Sequence, residues 1–180
     1  RLAATPNLPP LYVDTSLYDQ VSDIKRTFTG PLFLRARKAA NPFELLGKAH
    51  FQNRAAMKLA NVDQVFKLTG NKISYWQPIE LRPEGRQCYA DLAGGPGAFV
   101  EYIQYRWPYA HGYGITLGSP EANNLAWNFN SIRRCSNNRG GFKDLYGSDG
   151  TGNLYTNAES FAAEVLSTEQ GCDLVTGDGG

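Results

Sequence analysis

The stretch Asp91-Leu92-Ala93-Gly94-Gly95-Pro96-Gly97-Ala98-Phe99 constrains this chain most, because it joins a strand-like run to a helical one through a glycine-rich turn. Gln87–Leu92 reads as a short strand, and Gly97–Arg106 as a helix that Pro108 stops. Phe99, Val100, Tyr102 and Ile103 cover one side of that helix. Glycines let the backbone approach a ligand closely, and Pro96 stiffens the turn. A helix that starts there offers unpaired amides to a carboxylate or phosphate. The Gly-Lys-Ser/Thr of a phosphate loop is missing, and the spacing is not that of a G-x-G-x-x-G dinucleotide fingerprint. A dinucleotide-dependent dehydrogenase is therefore disfavoured. A plain structural turn is the alternative for an isolated glycine cluster; Asp91 at the strand end, with an amphipathic helix behind it, argues for a ligand.

The same alternation continues downstream. His111–Leu117 is a second strand, Ser119-Pro120 opens a helix through Trp127 to about Ile132, and Phe142–Tyr146 is a third strand. The Asn/Gly-rich patch at 136–141 is a turn. Thr156-Asn157-Ala158-Glu159 is a capping box for a helix ending before Gly171, and Cys172–Thr176 is a fourth strand followed by Gly177-Asp178-Gly179-Gly180. Such a pattern predicts a parallel sheet with right-handed crossovers, a doubly wound α/β fold. Ligands in these folds sit beyond the carboxyl ends of the strands. Asp91 with its glycines, Leu117, the loop at 147–153 and Asp178 all fall there.

Upstream the pattern is weaker. Residues 1 to about 30 are proline-bearing and irregular, and the boundaries read as an N-terminal arm over 1–32 followed by one domain over 33–180. Asn41-Pro42-Phe43-Glu44 reads as the start of a short helix ending near Gly47. A stronger helix runs from about Gln52 to Leu68, with Ala55, Ala56, Leu59, Val62, Val65 and Phe66 near helical spacing and Gly70 past its end. Lys58 falls inside it, and residues 71–86 are a connecting loop.

Composition sets the outer bounds. With 180 residues and 42% apolar content the chain can bury one sizeable core. No apolar run approaches the roughly 20 residues that span a bilayer, and no signal-peptide pattern opens the chain. It starts at Arg1, which reads as a piece of something longer. Net charge is +1, yet Lys25, Arg26, Arg35, Arg37, Lys38, Lys48, Arg54, Lys58, Lys67 and Lys72 crowd the first 72 residues. A basic face there would suit a phosphate backbone; a solvated helical surface explains the charges equally well. Cys88, Cys135 and Cys172 have no metal-ligand spacing, and His50 and His111 have no partner at such spacing, so no metal site is expected. Cys88 and Cys172 fall in apolar runs and read as buried, inert thiols of a reducing compartment.

Three motifs in order carry a family resemblance. DLAGGPGAFVEYI resembles the first motif of FtsJ-like (RrmJ-like) ribose 2′-O-methyltransferases, and GDGG resembles their fourth-strand motif. RARKAANPFELLGKAHFQNRAAMKLANVDQVF is similar to a segment of eukaryotic and viral mRNA cap 2′-O-methyltransferases. Bacterial ribosomal relatives lack the N-P-F/Y-E stretch. The resemblance runs from about Phe33 to Gly180. It implies the Rossmann-like sheet of S-adenosylmethionine-dependent methyltransferases, S-adenosyl-L-methionine as cofactor and a ribose 2′-hydroxyl of RNA, near an mRNA cap, as methyl acceptor. It also implies an intracellular protein of nucleus or cytoplasm, or of a virion or viral factory if viral. Beside RNA it admits other capping or polymerase proteins, or a chain completing the domain, as partners.

The family works through a Lys-Asp-Lys-Glu tetrad, and the resemblance places the first lysine at Lys58 in NRAAMK and the aspartate at Asp178 in GDGG. A ribose hydroxyl is a poor nucleophile with a very high pKa. Lysine ammonium groups beside it favour the alkoxide, and carboxylates hold those lysines in place. Without the resemblance, Lys58 would read as a surface lysine and Asp178 as a turn residue. The resemblance further puts Asn53, Asp91, Ala93, Gly94, Gly95, Pro96, Gly97, Ala98, Phe99, Leu117, Asn153 and Asp178 at the cofactor, with Tyr155 as a further apolar wall. Arg37 and Lys38 fall on the RNA side, beside Phe33 and Phe43. Asn153 departs from the aspartate that capping relatives often carry. The second lysine and the glutamate belong to later strands, so the C-terminal part of the fold is expected outside this chain. A ribosomal- or transfer-RNA 2′-O-methyltransferase, and a catalytically inactive RNA-binding module that kept the cofactor loop, are the alternatives.

Overall fold

In the computed structural model, residues 14–27, 29–41, 50–70, 87–118, 126–136 and 141–179 are described. Four short strands, β1 (Cys88–Leu92), β2 (His111–Ile115), β3 (Gly141–Leu145) and β4 (Leu174–Gly177), form one sheet in the order β3-β2-β1-β4. Every pairing is parallel, and Asp91 stands opposite Gly114 of β2 and Thr176 of β4. The remaining elements of this unit are α3 (Ala55–Phe66), α4 (Ala98–Arg106), α5 (Phe129–Ser136) and α6 (Leu154–Thr168).

Strand alternation decides which helix each side of the sheet receives. Tyr89 turns to one face and packs with Val100 and Ile103 of α4 and Ile132 of α5. Cys88 and Ala90 turn to the other and pack with Phe161 and Val165 of α6. Helices on both faces of a parallel sheet make the doubly wound architecture that the alternation of elements predicts. Gly114 inside β2 has a steric reason: a Cβ there would come within 2.6 Å of the Phe142 and Trp127 rings, which fill that face.

Several local expectations are corrected. The N-terminal residues form a separate compact unit, Arg1–Leu45, and its described part is helical rather than irregular: α1 (Thr15–Thr27) and α2 (Gly30–Ala40). The start of α1 was encoded at Asp14, whose carboxylate accepts a hydrogen bond from the Leu17 amide at 3.1 Å. Pro31 occupies the first turn of α2, where no amide hydrogen is needed, so Gly30-Pro31 opens a helix instead of interrupting one. Asn41 closes α2, its amide donating to the Arg37 carbonyl; the helix expected at 42–47 lies outside the described residues, as do the loop at 71–86 and the start of the helix expected from Ser119.

Residues 126–128 are not helical. The Asn128 side chain accepts from the Ser131 amide at 3.2 Å, so α5 begins at Phe129 and runs past Ile132. For α6 the cap is Asn153, whose side chain accepts from the Tyr155 amide, and Thr156 already lies inside the helix. The third and fourth strands are each displaced from the expected bounds, by one residue for β3 and by one to two for β4. All three cysteines are free thiols; Cys88 and Cys172 lie 3.4 Å apart, and burial pushes both thiols up. Among the described residues no helix is long and apolar enough to cross a membrane.

Candidate functional site

At the carboxyl end of β1 the chain delivers Asp91 into the interior, where it is wholly buried. Its Oδ1 accepts from the Thr176 hydroxyl at 2.8 Å. Burial pushes its carboxyl up to about 7; the Thr176 hydrogen bond opposes this, and the nearby Asp178 charge adds to it. The loop then turns sharply. Ala93 is left-handed at φ 53°, Gly97 reaches φ 101°, and the Gly95–Pro96 peptide is cis. Gly97 donates to the Gly94 carbonyl at 2.7 Å, closing the turn, while Gly94 and Gly95 are held to β2's end through the Ile115 carbonyl and the Thr116 hydroxyl. A Cβ on Gly94 would overlap the Asp91 carboxylate and lie 3.0 Å from Trp127, so only glycine fits between them. Ala98 and Phe99, the first residues of α4, thus line a cleft beside the loop, and the N-terminal end of a helix suits an anionic group.

That cleft gathers residues from three parts of the sequence. Asp91, Ala93, Gly94, Gly95, Pro96, Ala98 and Phe99 form one wall; Asn53 and Ala55, at the start of α3, form a second; Asp178, just beyond β4, forms a third. Gly97 lies beneath, packed against Ile132 and Trp127. Lys58, in the first turn of α3, reaches the cleft through Asp178: its ammonium donates to Oδ2 at 2.5 Å, and both side chains are partly open to solvent.

Leu117 and Asn153 do not line this cleft; they occupy the loops after β2 and β3, along the same edge of the sheet. Gly118 donates to the Thr151 carbonyl at 2.9 Å, and Gly152 is pressed against the Thr116 carbonyl, so the two loops are fastened together. Leu117 is 40% exposed and Tyr155 fully exposed there, while the Asn153 side chain is engaged as the α6 cap. Arg37, half-buried, and Lys38, exposed, fall in the last turn of α2 in the N-terminal unit, with Phe33 exposed on the same helix. Phe43 lies outside the described residues.

Two buried carboxylates that the sequence did not single out hold the surroundings together. Asp63 of α3 accepts from the Tyr102 hydroxyl at 2.7 Å and from the amide and hydroxyl of Thr69, and pairs with Arg106 at 3.5 Å. Burial alone would raise its carboxyl, but the Thr69 and Tyr102 hydrogen bonds and the Arg106 charge outweigh that and hold it below the usual range. Glu101 of α4 meets Gln52 beside the loop. Charged residues at apolar helix positions were the available signal for both, since a buried carboxylate persists only with partners.

A cleft lined by the first residues of a helix, with an ammonium–carboxylate pair beside it, can bind a ligand bearing a carboxylate. It can also stabilise negative charge forming on an oxygen beside the ammonium. Comparison with known proteins places the chain in a family. The family model of the FtsJ-like methyltransferases matches residues 51–180. The human protein named cap-specific mRNA (nucleoside-2′-O-)-methyltransferase 1 is 41% identical over 106 residues, 56% of this chain and 13% of its own length. Its namesakes from Caenorhabditis elegans and Drosophila melanogaster are 31% and 33% identical, each over 81% of this chain and 17% and 18% of their lengths. The chain therefore spans less than a fifth of each of these relatives.

Proposed function

The chain belongs to the FtsJ-like methyltransferase family, and from that premise we propose that its protein methylates the ribose 2′-hydroxyl of capped mRNA, with S-adenosyl-L-methionine as donor. The observation that carries the reading is the Lys58–Asp178 pair, 2.5 Å apart at the mouth of the glycine-loop cleft although 120 positions separate them in sequence. S-adenosylmethionine bound there supplies an electrophilic methyl group.

The chain's own residues bind, orient and handle charge. The N-terminal end of α4 suits the cofactor's carboxylate, and Gly94 leaves the close approach that a side chain would block. Asn53 and Asp178 bound the cleft on the other sides. The Lys58 ammonium stabilises the negative charge that builds on the ribose 2′-oxygen as its proton leaves to solvent, and Asp178 aims that ammonium. Holding the oxygen in line with the methyl supplies much of the remaining rate. Arg37 and Lys38 serve the RNA, because guanidinium and ammonium groups suit phosphate oxygens. The names of the relatives favour capped mRNA over ribosomal or transfer RNA.

In the complete protein, Lys58→Ala is expected to lower single-turnover methylation of capped RNA by roughly two to three powers of ten, the range for losing one group that stabilises developing oxyanion charge. Cofactor affinity, measured by calorimetry, stays the same. Methylation at the wild-type rate would refute the role given to Lys58.

A further inference from the structure

We infer that Glu101 is a positioning residue: its buried carboxylate fastens the segment that carries Asn53 and leads into α3 to the glycine loop, and thereby sets the cofactor affinity of the cleft. The inference rests on the cofactor reading of that cleft. Glu101 lies in the first turn of α4 and is fully buried. An ionised carboxylate is costly in such a place unless its oxygens are used.

Both are used, one directly on residues 50–52 and the other on Arg134, which reaches the same segment. Oε2 accepts from the Gln52 amide at 2.7 Å. Oε1 accepts from Arg134 of α5 at 3.4 Å, and the same Arg134 nitrogen donates to the His50 carbonyl at 3.0 Å. The Gln52 side chain continues the chain of contacts, donating to the carbonyl of Pro96 within the loop itself at 3.0 Å. Between these ties Phe51 packs edge-on against Tyr102 and Tyr105. The next residue is Asn53, which lines the cleft and whose side chain accepts from the Ala55 amide at the start of α3.

Apolar packing of Phe51 would bury the segment without fixing its distance from the loop. Hydrogen bonds have fixed lengths and directions, and three of them run from His50 and Gln52 to α5, α4 and Pro96. Glu101 is the anion that joins two of the three, so its loss frees Asn53 and the first turn of α3 to move relative to residues 93–96.

The test is calorimetric titration of the complete protein with S-adenosylmethionine and with S-adenosylhomocysteine, well below the unfolding temperature. The variants are Glu101→Leu, Glu101→Gln and Val165→Ala. The last weakens the core under α6 on the other face of the sheet, away from residues 50–54 and the glycine loop, and controls for lost stability. Glu101→Leu is expected to raise the Kd about tenfold or more, since small misplacements of supporting residues carry such penalties. Glu101→Gln, which keeps an acceptor for the Gln52 amide, raises it less, and it reports on the proposal even if the leucine variant does not fold. Val165→Ala stays within about twofold of wild type. Unchanged affinity in both Glu101 variants would overturn the inference, and so would an equal rise in Val165→Ala. Wild-type protein that binds neither compound would defeat the cofactor reading itself.

Discussion

Asp91→Asn should remove a pH dependence from the protein's stability. Asp91 is completely buried at the end of β1, and its carboxyl titrates at about 7 in the fold, against an ordinary value of 3.8. Burial is the main cause. Between those two values the folded chain holds a proton that the unfolded chain releases, so folding stability falls as pH rises. The contribution is present in full below about pH 4 and lost once pH passes about 7. At about 1.4 kcal/mol for each pH unit between the two values, the loss is on the order of 4 kcal/mol. Asparagine carries no such proton and keeps an oxygen to accept from Thr176. The variant should therefore gain about 3 kcal/mol on wild type between pH 4.5 and 8. Glu101, whose carboxyl burial also raises, is common to both proteins and cancels in the difference. Urea unfolding of both proteins at stepped pH measures this directly. A difference between variant and wild type that does not change with pH would mean that Asp91 is ionised throughout, and would refute the argument from burial.

Other outcomes follow from the same geometry. Gly94→Ala places a methyl group into the Asp91 carboxylate and against Trp127; it should cost about 1–3 kcal/mol, as overpacking does, and abolish detectable cofactor binding in calorimetry. Arg37→Ala should weaken RNA binding and reduce by about one the slope of log affinity against log salt, with cofactor affinity unchanged. An unaltered salt slope in a filter-binding series would remove Arg37 from the RNA surface.

How much the sequence disclosed depended on whether a residue's neighbours in space were also its neighbours in the chain. The glycine loop was legible because its strand, turn and helix are contiguous, and the alternation of Cys88, Tyr89 and Ala90 shows on the two faces of the sheet. The doubly wound order followed from repetition of that unit. Helix starts were misread where two capping signals competed: Asn153 and Thr156 both suit a cap, and the fold uses the earlier one. In α1, Leu17, Val21 and Ile24 repeat at helical spacing, but prolines upstream and the polar residues between them masked the signal. Glu101 was hidden for a different reason. Its partners, Gln52 and Arg134, come from segments 49 and 33 residues away, so its place among apolar helix residues hinted at burial without revealing what holds it. Lys58 and Asp178 were legible only through resemblance, since 120 residues separate two side chains that meet at 2.5 Å.

The central claim is methyl transfer to the ribose of capped RNA, and it is tested most directly by giving the complete protein two RNAs of one sequence, one capped and one with a 5′-triphosphate, together with labelled S-adenosylmethionine. Nuclease digestion and chromatography then locate the label. The account predicts 2′-O-methylated ribose beside the cap in the first RNA and little in the second. Equal 2′-O-methylation of both would contradict the cap-directed reading in favour of a general RNA ribose methyltransferase, and no transfer to either, with cofactor bound, would contradict the assignment of catalysis altogether.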